Sequence, residues 1–94
     1  MALSVECLQE AMRRAYLERD RDRGLFKTFA WLVEELGELA EALREGDRER
    51  IMEEIADVIA WTVSIANLVG VNVVEALERK YGLDLRAAGC SDQS

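Results

Sequence analysis

At 94 residues the chain has room for one domain, and half of it is apolar, with six Gly and no Pro, which suits packed helices better than a sheet or a disordered tail. The net charge of −7 argues against a duplex nucleic acid partner, which needs a basic stripe, and against an anionic membrane surface. The absence of His removes His-based nucleophile triads, imidazole zinc sites and the carboxylate–His di-iron pattern of four-helix bundles. An acidic balance does not exclude a nucleotide, because bound metal ions reverse the local sign of a carboxylate site. Cys7 and Cys90 lie near opposite ends without CxxC spacing, so a reducing cytoplasm is the simpler expectation. No apolar run follows a basic start, and the most apolar stretch, 55–74, is interrupted by Asp57, Ser64, Asn67, Gly70 and Asn72.

In chain order, Ser4 is a good N-cap for a first helix running to about Glu18 or Arg19, with Val5, Leu8, Met12 and Ala15 at helical spacing. The ERDRDRG stretch that follows reads as a frayed end and a solvated turn. A second helix spans about Leu25 to Arg44. Its apolar stripe is Phe29, Leu32, Val33, Leu36, Ala40 and Leu43, while Trp31, Leu39 and Ala42 make the far side less polar than a free surface should be. Gly46 closes this helix and Asp47 caps the third, about Arg48 to Leu68. From Ile55 onward the third helix is apolar all round, which predicts burial on all sides and hence a homodimer or homotetramer with this helix near its centre. Asn72, with Glu75 three residues on, opens a short fourth helix that ends at Gly82. The predicted fold is all-α, four short helices in one domain over 1–83, completed as a bundle by oligomerisation, with a weakly anchored tail over 84–94.

The chemistry lies in two acidic pairs. Glu35 and Glu38 in EELGE stand at (i, i+3) on one helix face, and so do Glu54 and Asp57 in EIAD. The tight turn at Gly46 and Asp47 makes the two helices antiparallel, and counting outward from it puts both pairs at similar depth. Asp57 is expected in apolar surroundings, where an unpaired carboxylate is costly unless paired, protonated or bound to metal. Arg48, Arg50, Lys27 and Arg44 all lie toward helix ends, away from that depth. Oxygen-only ligands suit Mg²⁺, with Mn²⁺ as a substitute, and a magnesium ion that keeps waters and takes phosphate oxygens suits phosphoryl chemistry.

EELGE followed by EIAD resembles the EExxE…ExxD signature of the MazG-like nucleotide pyrophosphohydrolases, an all-α NTP pyrophosphatase superfamily that includes the dimeric dUTPases. The likeness covers roughly residues 4–82. It implies cleavage of a nucleoside triphosphate between the α and β phosphates, giving a monophosphate and pyrophosphate, in the removal of surplus or non-standard nucleotides. It further implies Glu35, Glu38, Glu54 and Asp57 as magnesium ligands, Glu35 and Glu38 as part of the catalytic set, and Glu34 as an accessory carboxylate that positions or deprotonates water. The resemblance also makes Lys80 a phosphate contact, while Asp84 departs from an Asn often found downstream in the family.

Around this set the roles stay open. Trp61, four residues after Asp57, is either a platform for a nucleobase or a packed tryptophan. Asn67 either reads a base edge or caps a neighbour, Lys80 suits a helix C-terminus equally well, and Arg23 and Arg86 are weaker candidates for phosphate. Two other functions compete: a helical module whose acidic cluster recruits a protein partner, and a carboxylate di-metal oxidase, which the lack of His disfavours.

Overall fold

The computed structural model describes residues 4–84, and among them the chain forms four helices and no strand. They are α1, Val5–Arg23; α2, Leu25–Glu45; α3, Arg48–Val69; and α4, Val73–Tyr81. The boundaries follow local chemistry. Ser4, Asp47 and Asn72 each accept a hydrogen bond from the backbone N–H three residues ahead, at Cys7, Arg50 and Glu75. Gly46 and Gly70 end α2 and α3 in the left-handed region that a side chain would disfavour. The expected tail lies outside the described residues apart from Asp84, and so do Arg86 and Cys90.

One boundary departs from the sequence expectation. The charged ERDRDRG stretch is helical, and α1 runs to Arg23 rather than stopping near Glu18. Asp20 and Arg23, three residues apart, pair on the inner face of this last turn, so two of its charges are spent inside rather than solvated. Gly24, at φ 92°, then turns the chain directly into α2.

α2 and α3 form the antiparallel hairpin that the tight turn predicts, and α1 lies across it, packed mainly on α3. α4 contacts α1. Which side of α2 faces inward is a second departure. The inward seam is Thr28, Leu32, Glu35, Leu39 and Ala42, at alternating four- and three-residue steps, with Thr28 and Ala42 fully buried. The expected stripe is left largely bare: Phe29, Val33, Leu36 and Leu43 are all about half exposed, and Phe26 is 84% exposed. On α3, Met52, Ile55 and Ile59 are likewise exposed. Among the described residues, the other helices therefore do not cover α3 on all sides.

Candidate metal and nucleotide site

Three carboxylates converge where the hairpin brings the acidic pairs to one depth. Ligand oxygens of Glu35, Glu38 and Glu54 all lie within 4.8 Å of one another. The tight turn places them, and the 3.6-residue helix repeat aims Glu35 and Glu38 from α2 at Glu54 on α3. Glu54 is only 7% exposed, Glu35 is half-buried and Glu38 is exposed. Neither Glu35 Oε2 nor Glu54 Oε2 has a hydrogen-bond partner, although both are buried. Contact with the Glu54 carboxyl, then burial, then the charges of Glu54, Asp57 and Glu38 push the Glu35 acid up to about 7.

This cluster has no cation of its own among the described residues. Among the described residues no salt bridge reaches Glu35, Glu38 or Glu54, and the nearby Arg50 is held by Glu45 at 2.7 Å and Glu41 at 3.4 Å, back toward the turn. Buried oxygens without donors, crowded with like charges, are the donor set that a hard divalent cation would relieve. The residues therefore fit a hard divalent cation.

Asp57 takes a different place from the one its sequence neighbours suggest. It is exposed, and Glu54 is the buried member of the pair. Three residues of helix turn through roughly 300°, so Asp57 stands about 60° round from Glu54 and outside the seam against α2. It stays close enough for its charge to act on Glu35. Glu34 is exposed and is not among the converging carboxylates.

Beside the cluster, Arg23 organises an aromatic corner. Its Nη2 donates to Asp20 Oδ1, and its Nε donates to Thr28 Oγ1 at 3.0 Å. The Thr28 hydroxyl in turn donates to the Gly24 carbonyl at 2.7 Å. The guanidinium lies 4.7 Å from the Trp61 ring centroid and 5.6 Å from that of Trp31. The two indoles meet edge to face with centroids 5.3 Å apart. Trp61 is thus half-buried next to Asp57, in a pocket of about 200 Å³ between α1 and α3.

The remaining predicted residues are not gathered there. Asn67 is tied to Gln9, accepting from its Nε2 at 3.1 Å and donating to its carbonyl at 3.3 Å. The Gln9 amide also holds Val71 and Val73, so this pair knits α1 to the α3–α4 corner and borders a separate pocket. Lys80 is exposed on α4. Asp20, Thr28 and Tyr16 carry weight that sequence reasoning missed. A signal was present for the first: Met12, Tyr16 and Asp20 continue the inner stripe of α1 at four-residue steps, which puts a carboxylate on an apolar face.

Residues 24–82, well over half of the chain, match the MazG nucleotide pyrophosphohydrolase domain. The chain belongs to that family. It is also similar to a dATP/dGTP diphosphohydrolase of Cyanophage S-2L, at 38% identity over 63 residues, covering 67% of this chain and 56% of that protein. The chain thus spans little more than half the length of that relative. Both acidic pairs of this MazG domain fall within the matched residues.

Proposed function

We propose that this protein is a divalent-metal-dependent pyrophosphohydrolase of deoxynucleoside triphosphates, cleaving between the α and β phosphates and clearing surplus or non-standard nucleotides. The observation that carries the reading is the convergence of Glu35, Glu38 and Glu54 with two buried oxygens that no protein group satisfies. Mg²⁺, with Mn²⁺ as substitute, would be held by these three and by Asp57 from the edge of the site. Bound there, it supplies charge neutralisation on the phosphates and lowers the pKa of water.

The chain's own groups divide the rest of the work. Glu54 and Glu35, packed together in the hairpin, fix the ligand positions and exclude bulk water from one side. Glu38 and Asp57 are exposed at the rim, where phosphate oxygens and the attacking water can approach. Glu34, on the outer side of the same turn, is the accessory carboxylate that would orient or deprotonate water. Trp61 stands ready to stack a nucleobase, and its cation partner Arg23 is a positioning residue rather than a free phosphate contact. The relative's substrates make dATP and dGTP the first to try.

The working unit is an oligomer, in our reading a homodimer or a homotetramer of two paired dimers. Phe29, Val33 and Leu36 on α2 and Met52, Ile55 and Ile59 on α3 form adjacent bare seams at helical spacing, the pattern a second copy would cover.

The test is product analysis. Canonical and modified nucleoside triphosphates are incubated with Mg²⁺, Mn²⁺ or EDTA, and products are separated by ion exchange. Monophosphate with pyrophosphate, formed only with metal, is the expected outcome. Glu38→Gln and Asp57→Asn should each lower turnover by roughly 100-fold or more, the scale seen when a charge-stabilising group is removed from an active site. Diphosphate with orthophosphate would move the cleaved bond. No turnover on any nucleotide would favour a protein-recruiting module.

A further inference from the structure

Arg50 stands one helical turn from the carboxylate cluster, and only part of its guanidinium is engaged. Its two ion pairs, to Glu45 at 2.7 Å and to Glu41 at 3.4 Å, are both made by Nη1. Among the described residues, Nε and Nη2 have no partner. The Arg50 side chain is 32% exposed and those of Glu41 and Glu45 are about half exposed, so water screens these pairs and they hold the guanidinium weakly.

The register along α3 gives this cation its neighbours. Arg50, Glu54, Asp57 and Trp61 follow one another at steps of four, three and four residues. At about 100° per residue they fall within about 60° of arc, on one face of the helix. Read from the turn, that face carries a guanidinium, two carboxylates and an indole. Along the axis its ends are about 16 Å apart, and Arg50 is about 6 Å from Glu54, a distance that an arginine side chain covers.

We propose that Arg50 is a phosphate clamp, turning from Glu41 and Glu45 to bind the β and γ phosphates of the substrate, the half released as pyrophosphate. The proposal rests on the nucleotide reading above and adds to it the residue that holds the phosphate tail. A triphosphate whose base stacks on Trp61 passes Asp57 and Glu54 and points its tail at Arg50. Charge calls for a cation there. Four carboxylates around one divalent ion stay net negative, and a triphosphate brings several more negative charges. The other cations are placed elsewhere. Arg23 and Lys27 lie against the indoles, at the base end. Lys80 is on α4, which packs against α1. Arg44 and Arg48 fall about 180° and 120° round their helices from Glu35 and Glu54. Arg50 is left, and a fork with free Nε–H and Nη2–H matches two phosphate oxygens.

The test is calorimetric titration of the purified full chain with three probes in Mg²⁺: inorganic pyrophosphate, dAMP, and dATP with an imido bridge between its α and β phosphates, which resists cleavage. Arg50→Gln should weaken pyrophosphate and the imido analogue about tenfold or more, the ratio that charge-assisted hydrogen bonds support, and leave dAMP unchanged. Arg50→Lys, which keeps the charge and loses the fork, should fall between. Glu45→Gln leaves Arg50 in place and frees it from its shorter ion pair, so it should tighten pyrophosphate. A folded Arg50→Gln protein whose pyrophosphate and dAMP affinities are both unchanged, or both reduced alike, would overturn the proposal. So would Glu45→Gln with unchanged or weaker pyrophosphate binding, a result that can be read even where Arg50→Gln does not fold. An unsubstituted protein that binds none of the three probes would refute the nucleotide reading itself, and the clamp with it.

Discussion

Replacing Glu54 with Gln should make the metal-free protein more stable, although Glu54 is the most buried member of the cluster. In the native chain, two carboxylates meet with one buried oxygen each and no donor between them. A Gln at 54 removes one charge and turns its Nε2 toward an acceptor, Glu35. An unsatisfied buried polar group costs about 1–3 kcal/mol, so the variant should gain that much at pH 8, above the raised value of the Glu35 acid. For a domain of this size each kcal/mol moves Tm by roughly 4–8 °C. The gain depends on pH in a defined direction. The Glu35 acid is raised from an ordinary 4.5 to about 7, so its contribution to stability is fully present below 4.5 and is lost as pH rises through about 7. The native protein in EDTA should therefore lose stability between pH 5 and 8, and the variant should show a flatter profile and a smaller advantage at pH 6. Metal reverses the comparison. A ligand at 100 times its Kd adds about 2.7 kcal/mol to the native protein, and the variant, short of one ligand, should receive much less. Thermal melts by circular dichroism at pH 6 and 8, with EDTA and with Mg²⁺ or Mn²⁺, read all of this. A variant less stable than the native chain at pH 8 in EDTA, or one that responds equally to metal, would refute the reasoning.

Two further substitutions probe the surroundings of the site. Arg23→Ala strands a carboxylate at Asp20 whose side chain is only 4% exposed, and breaking such a pair costs roughly 3–5 kcal/mol; chemical denaturation should show most of that loss, and Arg23→Ala combined with Asp20→Asn should recover part of it. Leu36→Asp, on the bare seam of α2, should shift the protein to monomer in light scattering; an unchanged mass would place the subunit contact elsewhere.

How far the sequence reveals this site depends on the question asked of it. Helix ends were legible because caps are local: Ser4, Asp47 and Asn72 act within three residues of themselves. The meeting of EELGE with EIAD was legible because a tight turn fixes the depth of two antiparallel helices. Choices of rotation were not. α2 carries two seams of nearly equal apolar character, one through Leu32, Leu39 and Ala42 and the other through Phe29, Val33 and Leu36, and periodicity cannot say which one turns inward. The same degeneracy misplaced Asp57, expected in apolar surroundings but exposed, while Glu54, a small rotation away about α3, is the buried one. The end of α1 failed for another reason. A run of alternating charges reads as solvated unless one of its pairs is buried, and the burial of Asp20 and Arg23 depends on Thr28 and Trp61, from other helices.

What lies inside a single chain is more site than core. Among the described residues the buried apolar side chains are Ala42, Val63 and Ala66, all small, while the buried polar ones are Asp20, Thr28, Glu54 and Ser64. Burying a large aliphatic or aromatic side chain is worth roughly 1.5–3 kcal/mol, and here Phe29, Val33, Leu36, Ile55 and Ile59 leave about half of their surface uncovered and Phe26 and Met52 more than half. The inner face bears the opposing cost of carboxylates held together. A hairpin loaded in this way should depend on the covering of its outer seams to hold the carboxylates of its inner face in register. Subunit association and metal binding would then stabilise the same two helices from opposite sides. The melting temperature should rise with protein concentration, and Mg²⁺ should shift the dimer to lower dissociation concentrations. A melt independent of concentration over a hundredfold range, together with a metal response unchanged in the Leu36→Asp monomer, would show that one chain suffices for the site.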